Sequence, residues 1–342
     1  TQAKTLFPYT TLFRSSGKPH AKDSNDWKLY SNNVLPKLTE LSENGYCLVI
    51  ITNQAGLKDD NKALEWMTKI EKIHDLIKLP LAVFASVTHG KYRKPCTGMF
   101  DCILEQLGKP HVVESFYCGD ACGRKKTKTT PADFSDCDLK FALNTGLRFI
   151  TPNQLFDGEN VIIPDIIYPP FEELKELVKL PPPEITFKEK EMILMIGCPG
   201  SGKSSFVKNY LEPKGYVRIN QDTLKTHAKC IKETEKALNG GFSVVIDNTN
   251  GVPKKRESFI ELAKAKGYTV KCVVIDVTME TAQHNAIYRN YCGLADHIPD
   301  IAYRIYKSNF VFPTLDENIN EIINIKPSYL GAPEKLLNMY MY

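Results

Sequence analysis

Apolar residues recur along this chain in two arrangements. The runs Leu48-Val-Ile-Ile-Thr52, Met192 to Ile196, Ser243-Val-Val-Ile-Asp247 and Val270 to Val277 are short and carry little polar interruption. Such runs predict strands buried on both faces, the situation of a parallel sheet. Ala82 to Val87 and Ser115 to Cys118 are further strand candidates. Between the runs, Lys62 to Lys78 and Glu280 to Asn290 read as helices. Alternating strands and helices predict an α/β architecture. The pattern loosens from Thr151 to Lys190, where Pro164, Pro169, Pro170 and Pro181-Pro182-Pro183 surround one helical piece, Phe171 to Leu180. Residues 156–190 therefore read as a proline-rich linker, and 342 residues are ample for two cores.

Composition narrows the class only slightly. A formal charge of +4 is compatible with a polyanionic substrate but too small to argue for one. The ten cysteines form no CxxC pair and no zinc spacing, so free thiols in a reducing compartment are expected. No apolar stretch approaches the roughly 20 residues that cross a bilayer, so no membrane partner is expected.

Chemistry enters at residues 197 to 204, Gly-Cys-Pro-Gly-Ser-Gly-Lys-Ser, a complete GxxxxGK(S/T) phosphate-binding loop between the strand run Met192 to Ile196 and a helix-compatible segment. Backbone N–H groups around Gly197, Gly200, Ser201, Gly202 and Ser205 can converge on phosphate oxygens. Lys203 can reach the β- and γ-phosphates and Ser204 a magnesium ion, so ATP and Mg2+ are the implied ligands. Downstream, Tyr216-Val-Arg-Ile-Asn-Gln-Asp222-Thr-Leu224 places an aspartate at the end of a short strand, on the edge where parallel strands share their C-termini. Asp222 could accept the proton of an attacking hydroxyl or cap the next helix, and position alone leaves both open. The cluster Asp247-Asn-Thr-Asn250 could orient substrate or simply make turns. Arg289 could close over phosphates as a lid or stay solvated, and His284 and His297 could be structural.

The series GxPGxGKS, INQDTL, DNTN, HNxxxR and HIPD resembles the kinase domain of the polynucleotide kinase 3′-phosphatases, which repair strand ends. The resemblance implies transfer of the ATP γ-phosphate to a 5′-hydroxyl of DNA or RNA, with Lys203 and Ser204 on the nucleotide, Asp222 as base and Arg289 as lid. Gln221 departs from the basic residue of animal relatives. The first half resembles the same family's haloacid-dehalogenase-type phosphatase. Ser16-Gly-Lys, Asn25-Asp-Trp27, Asn44 to Gln54, His89 to Pro95, Tyr117-Cys-Gly-Asp120 and Asp133 to Asp138 fall in family order. This implies Thr52 and Lys94 on the phosphoryl group and Asp120 and Asp138 on magnesium.

One part of that pattern is missing. The family's DxDGT nucleophile motif should occupy roughly residues 5 to 10, which read Thr5-Leu-Phe-Pro-Tyr-Thr10, and no aspartate precedes Asp23. Thr5 to Ser15 resembles the in-frame translation of a sequencing adapter, which would make residues 1–15 foreign to the natural protein; the alternative is a natural pseudophosphatase whose nucleophile strand decayed while Thr52, Lys94 and Asp120 remained. The expectation is a destabilised phosphatase domain over 16–155 without its nucleophile and missing edge strands, since Pro8 interrupts the place where a central strand is expected, and an intact kinase domain over 191–342. Basic residues that could meet a nucleic-acid end are Lys91, Arg93 and Lys94 and the loop Arg124-Lys-Lys-Thr-Lys128, while Trp27 and Trp66 read as core. Nuclear location follows from the resemblance alone, and repair scaffolds would dock only on a forkhead-associated domain outside this chain. Two competitors are a small-molecule kinase fused to an inactive phosphatase-like domain and a non-catalytic binder of DNA ends.

Overall fold

The structure, a computed structural model, describes residues 4–8, 13–14, 23–57, 59–107, 114–127 and 131–342. Ser16-Gly-Lys18, Lys128 and positions 9 and 10 of the expected nucleophile stretch lie outside the described residues. The chain divides into two compact units, with the boundary between Ile167 and Tyr168.

In the first unit the strands are β1 (Lys4–Pro8), β2 (Phe13–Arg14), β3 (Lys28–Leu29), β4 (Tyr46–Asn53), β5 (Leu81–Ser86), β6 (Phe116–Cys118) and β7 (Arg148–Ile150). The helices are α1 (Val34–Glu43), α2 (Asp60–Ile77), α3 (Gly98–Leu107), α4 (Cys137–Thr145) and α5 (Pro152–Phe156). Five strands form a wholly parallel sheet in the order β5-β4-β1-β6-β7, and β2 pairs antiparallel with β3. The run in β4 is apolar throughout because both faces are covered. Leu48 and Ile50 join Val34, Leu38 and Ile73 on one side, while Val49 and Ile51 join Phe100, Ile103 and Phe141 on the other.

Residues 4–8 correct an expectation. They form β1, the middle strand of the sheet, with Leu6 opposite both Leu48 and Phe116. Pro8 is the last residue of the strand, where its missing N–H forgoes one ladder bond at the end instead of breaking the middle.

The second unit contains α6 (Pro169–Leu177), β8 (Glu191–Ile196), α7 (Lys203–Phe206), β9 (Val217–Ile219), α8 (Gln221–Leu224), α9 (His227–Asn239), β10 (Val244–Ile246), α10 (Pro253–Ala265), β11 (Thr269–Ile275), α11 (Met279–Tyr291), α12 (Asp300–Asn309), β12 (Glu321–Ile325) and α13 (Glu334–Asn338). Its sheet is also wholly parallel, ordered β12-β11-β8-β10-β9. Alternate residues of β8 again serve two cores, Met192, Leu194 and Ile196 facing one and Ile193 and Met195 the other.

Much of the stretch expected as linker is built into this second unit. Pro169 and Pro170 stand in the first turn of α6, where a fixed φ and a missing N–H start a helix at no cost. Tyr168, Leu174 and Leu177 are buried, and Ile185 and Phe187 pack against the β8 core. Conversely, the first unit takes in Asn290–Leu294 and Met339–Tyr342. Thr97 and Tyr291 hydroxyls meet at 3.1 Å, Asn144 exchanges two hydrogen bonds with the backbone of Tyr340, and Lys140 Nζ donates to the Tyr342 carbonyl at 2.7 Å.

Candidate phosphate-handling sites

In the second unit, parallel pairing brings the ends of β8, β10 and β9 to one edge, and each end continues into a polar loop. The phosphate-binding loop follows β8, the central strand. Lys203, 8% exposed, folds back onto it, donating to the carbonyls of Gly197 (2.9 Å) and Cys198 (2.8 Å) and to Ser201 Oγ (3.4 Å). Desolvation pushes its pKa below the usual lysine range, opposed by the charges of Cys198, Asp247 and Asp222. Both aspartates thus lie within electrostatic reach of the ammonium. Ser204 is half-buried and Ser205 exposed.

The two neighbouring loops hold each other. Asn220 Nδ2 donates to the Asp247 carbonyl, Asn248 Oδ1 accepts from the Gln221 N–H, and the Gly197 N–H donates to the Thr249 carbonyl. Asn250, with φ of 45°, donates from Nδ2 to the carbonyls of Met195 and Ile246, tying β10 to β8. The DNTN cluster is therefore mostly scaffold. Its acidic member is different: Asp247 is 2% exposed, Oδ2 accepts two bonds from Arg218, and Oδ1 has no partner among the described residues.

Asp222 is exposed in the first turn of α8, and the cap of that helix is Asn220, whose Oδ1 accepts from the Thr223 N–H at 3.1 Å. Asp222 thus has no capping task. With β9 two strands from β8, it stands roughly 10 Å along the edge from the loop. Arg289 is exposed on α11. His284 is fully buried, Nδ1 against the Tyr168 hydroxyl and Nε2 against the Leu336 carbonyl, and burial lowers its pKa to about 4. It is a structural hydrogen-bonder, while His297 is exposed.

In the first unit, Thr52 ends the buried part of β4 and accepts from Gln54 Nε2 at 2.9 Å. Next to it, Asn53 exchanges two hydrogen bonds with the Lys94 backbone, fixing the His89–Pro95 loop to the strand end. The Lys94 side chain, fully buried, donates to the Ile51 carbonyl (3.2 Å), the Tyr117 hydroxyl (2.8 Å) and Asp138 Oδ1 (2.8 Å). Tyr117 also donates to Asp138 Oδ1, and Oδ2 accepts from the Ala121 N–H.

Asp138, expected beside Asp120 on magnesium, is thus occupied on both oxygens. Gly119 makes room for it, since a Cβ there would lie 2.6 Å from the Asp138 Cβ. Asp120 is half-buried at the strand end, and no group of three His, Cys, Asp or Glu side chains is placed to hold a metal among the described residues. The basic loop is also partly internal. Arg124 is clamped by Asp133, whose carboxyl also accepts the backbone N–H groups of Cys122 and Arg124. Lys125 and Lys126 are exposed. Trp27 packs partly buried against the first core and Trp66 is half-buried.

Two residues carry more than the sequence suggested. Arg218, a charge inside an apolar three-residue strand, is the counter-ion of Asp247, and Tyr117 anchors the Lys94–Asp138 pair. A charged residue interrupting a buried strand was the available signal for the first. Nothing local marks the second.

Fold and sites define an α/β protein of two compact units, each built on a parallel sheet, the second with a P-loop at the end of its central strand. A family model described as polynucleotide kinase 3 phosphatase matches residues 8–156, and one described as AAA domain matches residues 192–313. A protein of Acanthamoeba polyphaga mimivirus, named for a bifunctional polynucleotide phosphatase/kinase, is 38% identical over 338 residues, spanning 88% of this chain and 80% of its own length. The bifunctional polynucleotide phosphatase/kinase of Schizosaccharomyces pombe is 34% identical over 318 residues, spanning 92% of this chain and 76% of its own. A polynucleotide 3′-phosphatase of Arabidopsis thaliana is 34% identical over 148 residues, 38% of this chain and 20% of its own length. The chain belongs to the bifunctional polynucleotide phosphatase/kinase family.

Proposed function

We propose that the second unit phosphorylates 5′-hydroxyl ends of DNA or RNA from ATP, and that the first unit holds a phosphorylated end without hydrolysing it. The observation that carries the kinase reading is the shared edge: a phosphate-binding loop, a buried lysine awaiting an anion, and an aspartate with no capping task on a parallel neighbour. Lys203 exchanges its two loop carbonyls for phosphate oxygens, which restores the charge that burial disfavours. Asp222 accepts the proton of the attacking hydroxyl. Arg289 approaches the phosphates from α11 and neutralises charge that develops in transfer.

The donors present fit a hard divalent cation. Ser204 offers a half-buried hydroxyl, and Asp247 Oδ1 is a buried carboxylate oxygen with no partner among the described residues. Magnesium bound there would supply neutralisation of the phosphate charge.

In the first unit, Thr52 accepts from Gln54 and so keeps its own proton to donate to a phosphoryl oxygen, while Lys94 supplies the positive charge. Asp138 orients Lys94, and Asp120, beyond the end of β6, offers a carboxylate to magnesium. The step that is lost is nucleophilic attack, because no aspartate precedes Asp23. Family membership supports a setting in nuclear DNA repair. The test supplies γ-labelled ATP and magnesium with an oligonucleotide bearing a 5′-hydroxyl and a 3′-phosphate. Label at the 5′ end with the 3′-phosphate retained is expected. No label above a Lys203→Ala control refutes the kinase, and release of the 3′-phosphate refutes the account of the first unit.

A further inference from the structure

The apex of the phosphate-binding loop rests on the backbone of α11. Gly200 has φ of 80°, and a Cβ on it would lie 2.1 Å from the Ala282 carbonyl oxygen and 3.1 Å from the Ala286 Cβ. Between those two alanines on the same helix, Asn285 is 8% exposed and donates from Nδ2 to the Gly200 carbonyl at 3.2 Å and to the Tyr329 hydroxyl at 2.5 Å. The orientation of the amide follows from chemistry, since a carbonyl can only accept and must face the nitrogen. Its Oδ1 is buried without a partner among the described residues, so the side chain gives up one acceptor to keep this donor in place.

The bond fixes more than a distance. The Gly200 carbonyl and the Ser201 N–H belong to one planar unit and point in opposite directions. With the carbonyl held outward by Asn285, the Ser201 N–H turns into the loop, where it donates to the Cys198 carbonyl at 3.2 Å. A glycine peptide released from the helix is free to turn over, and turned over it presents a carbonyl dipole where the loop gathers N–H groups for phosphate. We propose that Asn285 is the positioning residue that sets the Gly200–Ser201 peptide of the phosphate-binding loop for nucleotide. Asn285 lies one turn before Arg289, so the helix that sets the loop also carries the lid arginine. The proposal rests on the kinase reading of this unit.

The test compares wild type, Asn285→Ala and Asn285→Asp, which matches the shape but replaces the donor by an acceptor, with His284→Phe as a neighbouring core change. Calorimetry of magnesium–ADP binding and KM for ATP and for a 5′-hydroxyl oligonucleotide are measured for each, with melting temperature alongside. Asn285→Ala is expected to raise the ADP Kd and ATP KM about tenfold, Asn285→Asp more, with the oligonucleotide KM unchanged. His284→Phe is expected to lower the melting temperature and leave both KM values as they are. ADP affinity within twofold of wild type in both Asn285 variants overturns the proposal. So does a loss shared by both KM values that tracks melting temperature. A wild-type chain that binds ADP but labels no oligonucleotide refutes the kinase reading alone, and the ADP affinities still decide on Asn285. A wild-type chain that binds no ADP refutes both.

Discussion

Lys94 and Lys203 are both buried at the C-terminal edge of a parallel sheet, yet their surroundings differ in kind. Lys94 has a carboxylate at 2.8 Å that is as buried as itself, and that carboxylate is held by a tyrosine hydroxyl and a backbone N–H. Lys203 has two carbonyls, one hydroxyl and more distant charges, and its pKa is depressed. The first lysine has its counter-ion in place before any ligand arrives. The second site is incomplete until a phosphate arrives, which couples ligand binding to the relief of a desolvated charge.

The comparison breaks first at catalysis. Lys203→Ala is expected to reduce 5′ labelling by on the order of a thousandfold, since its charge acts in the transition state, and Asp222→Asn by about a hundredfold or more. Labelling unchanged in either variant would remove that residue from the mechanism.

Stability separates the two lysines next. Asp138→Ala strands the Lys94 charge and is expected to destabilise the first unit by about 3–5 kcal/mol, whereas Lys203→Met removes an unpaired charge and leaves the nucleotide-free second unit no less stable. Both tryptophans, Trp27 and Trp66, belong to the first unit, so urea unfolding followed by tryptophan fluorescence reports the Asp138 effect there. An unchanged midpoint would show that the ion pair is dispensable.

Acid supplies a smaller effect confined to the second unit. The pKa of His284 falls from 6.5 in the unfolded chain to about 4 when buried, so the unfolded state binds the extra proton across that window. Stability is full above pH 6.5 and is lost as pH falls towards 4, by up to about 3 kcal/mol. His284→Phe should flatten this slope, which calorimetric melting between pH 7 and 4 measures.

The smallest effect is alkaline. Because burial lowers the Lys203 pKa below 10.5, ADP affinity is expected to weaken at a pH where an exposed lysine would still be charged. Lys203→Arg should keep whatever affinity it has over the same range, and titrations at successive pH values compare the slopes.

Most strands were legible because a run buried on both faces has no polar alternation to disguise it, as in Tyr46–Asn53 and Glu191–Ile196. The linker misled for a physical reason: proline reads as a breaker, yet at the first turn of α6 it is a starter. The phosphate-binding loop was legible because its chemistry is contiguous. Asp138 was not, because a carboxylate suits magnesium and lysine equally and its partner lies 44 residues away. The same holds for Asn285, whose acceptor is 85 residues distant. At Asp222 the capping alternative fell away only on seeing Asn220 take the cap.

The return of Asn290–Leu294 and Met339–Tyr342 to the first unit has a consequence for how such a gene can change. Truncation before Met339 would cost Asn144 its two bonds to Tyr340 and Lys140 its bond to Tyr342 in the phosphatase-like half, although the stretch just before it, Ala295–Asn338, builds the other half. Recombination at the 167/168 junction would leave the first unit without Asn290–Leu294 and Met339–Tyr342 and the second carrying both as unmatched insertions. The two modules are interleaved along one reading frame, so swapping the first for a relative's copy means moving three separate stretches of coding sequence together, and swapping the second means moving two.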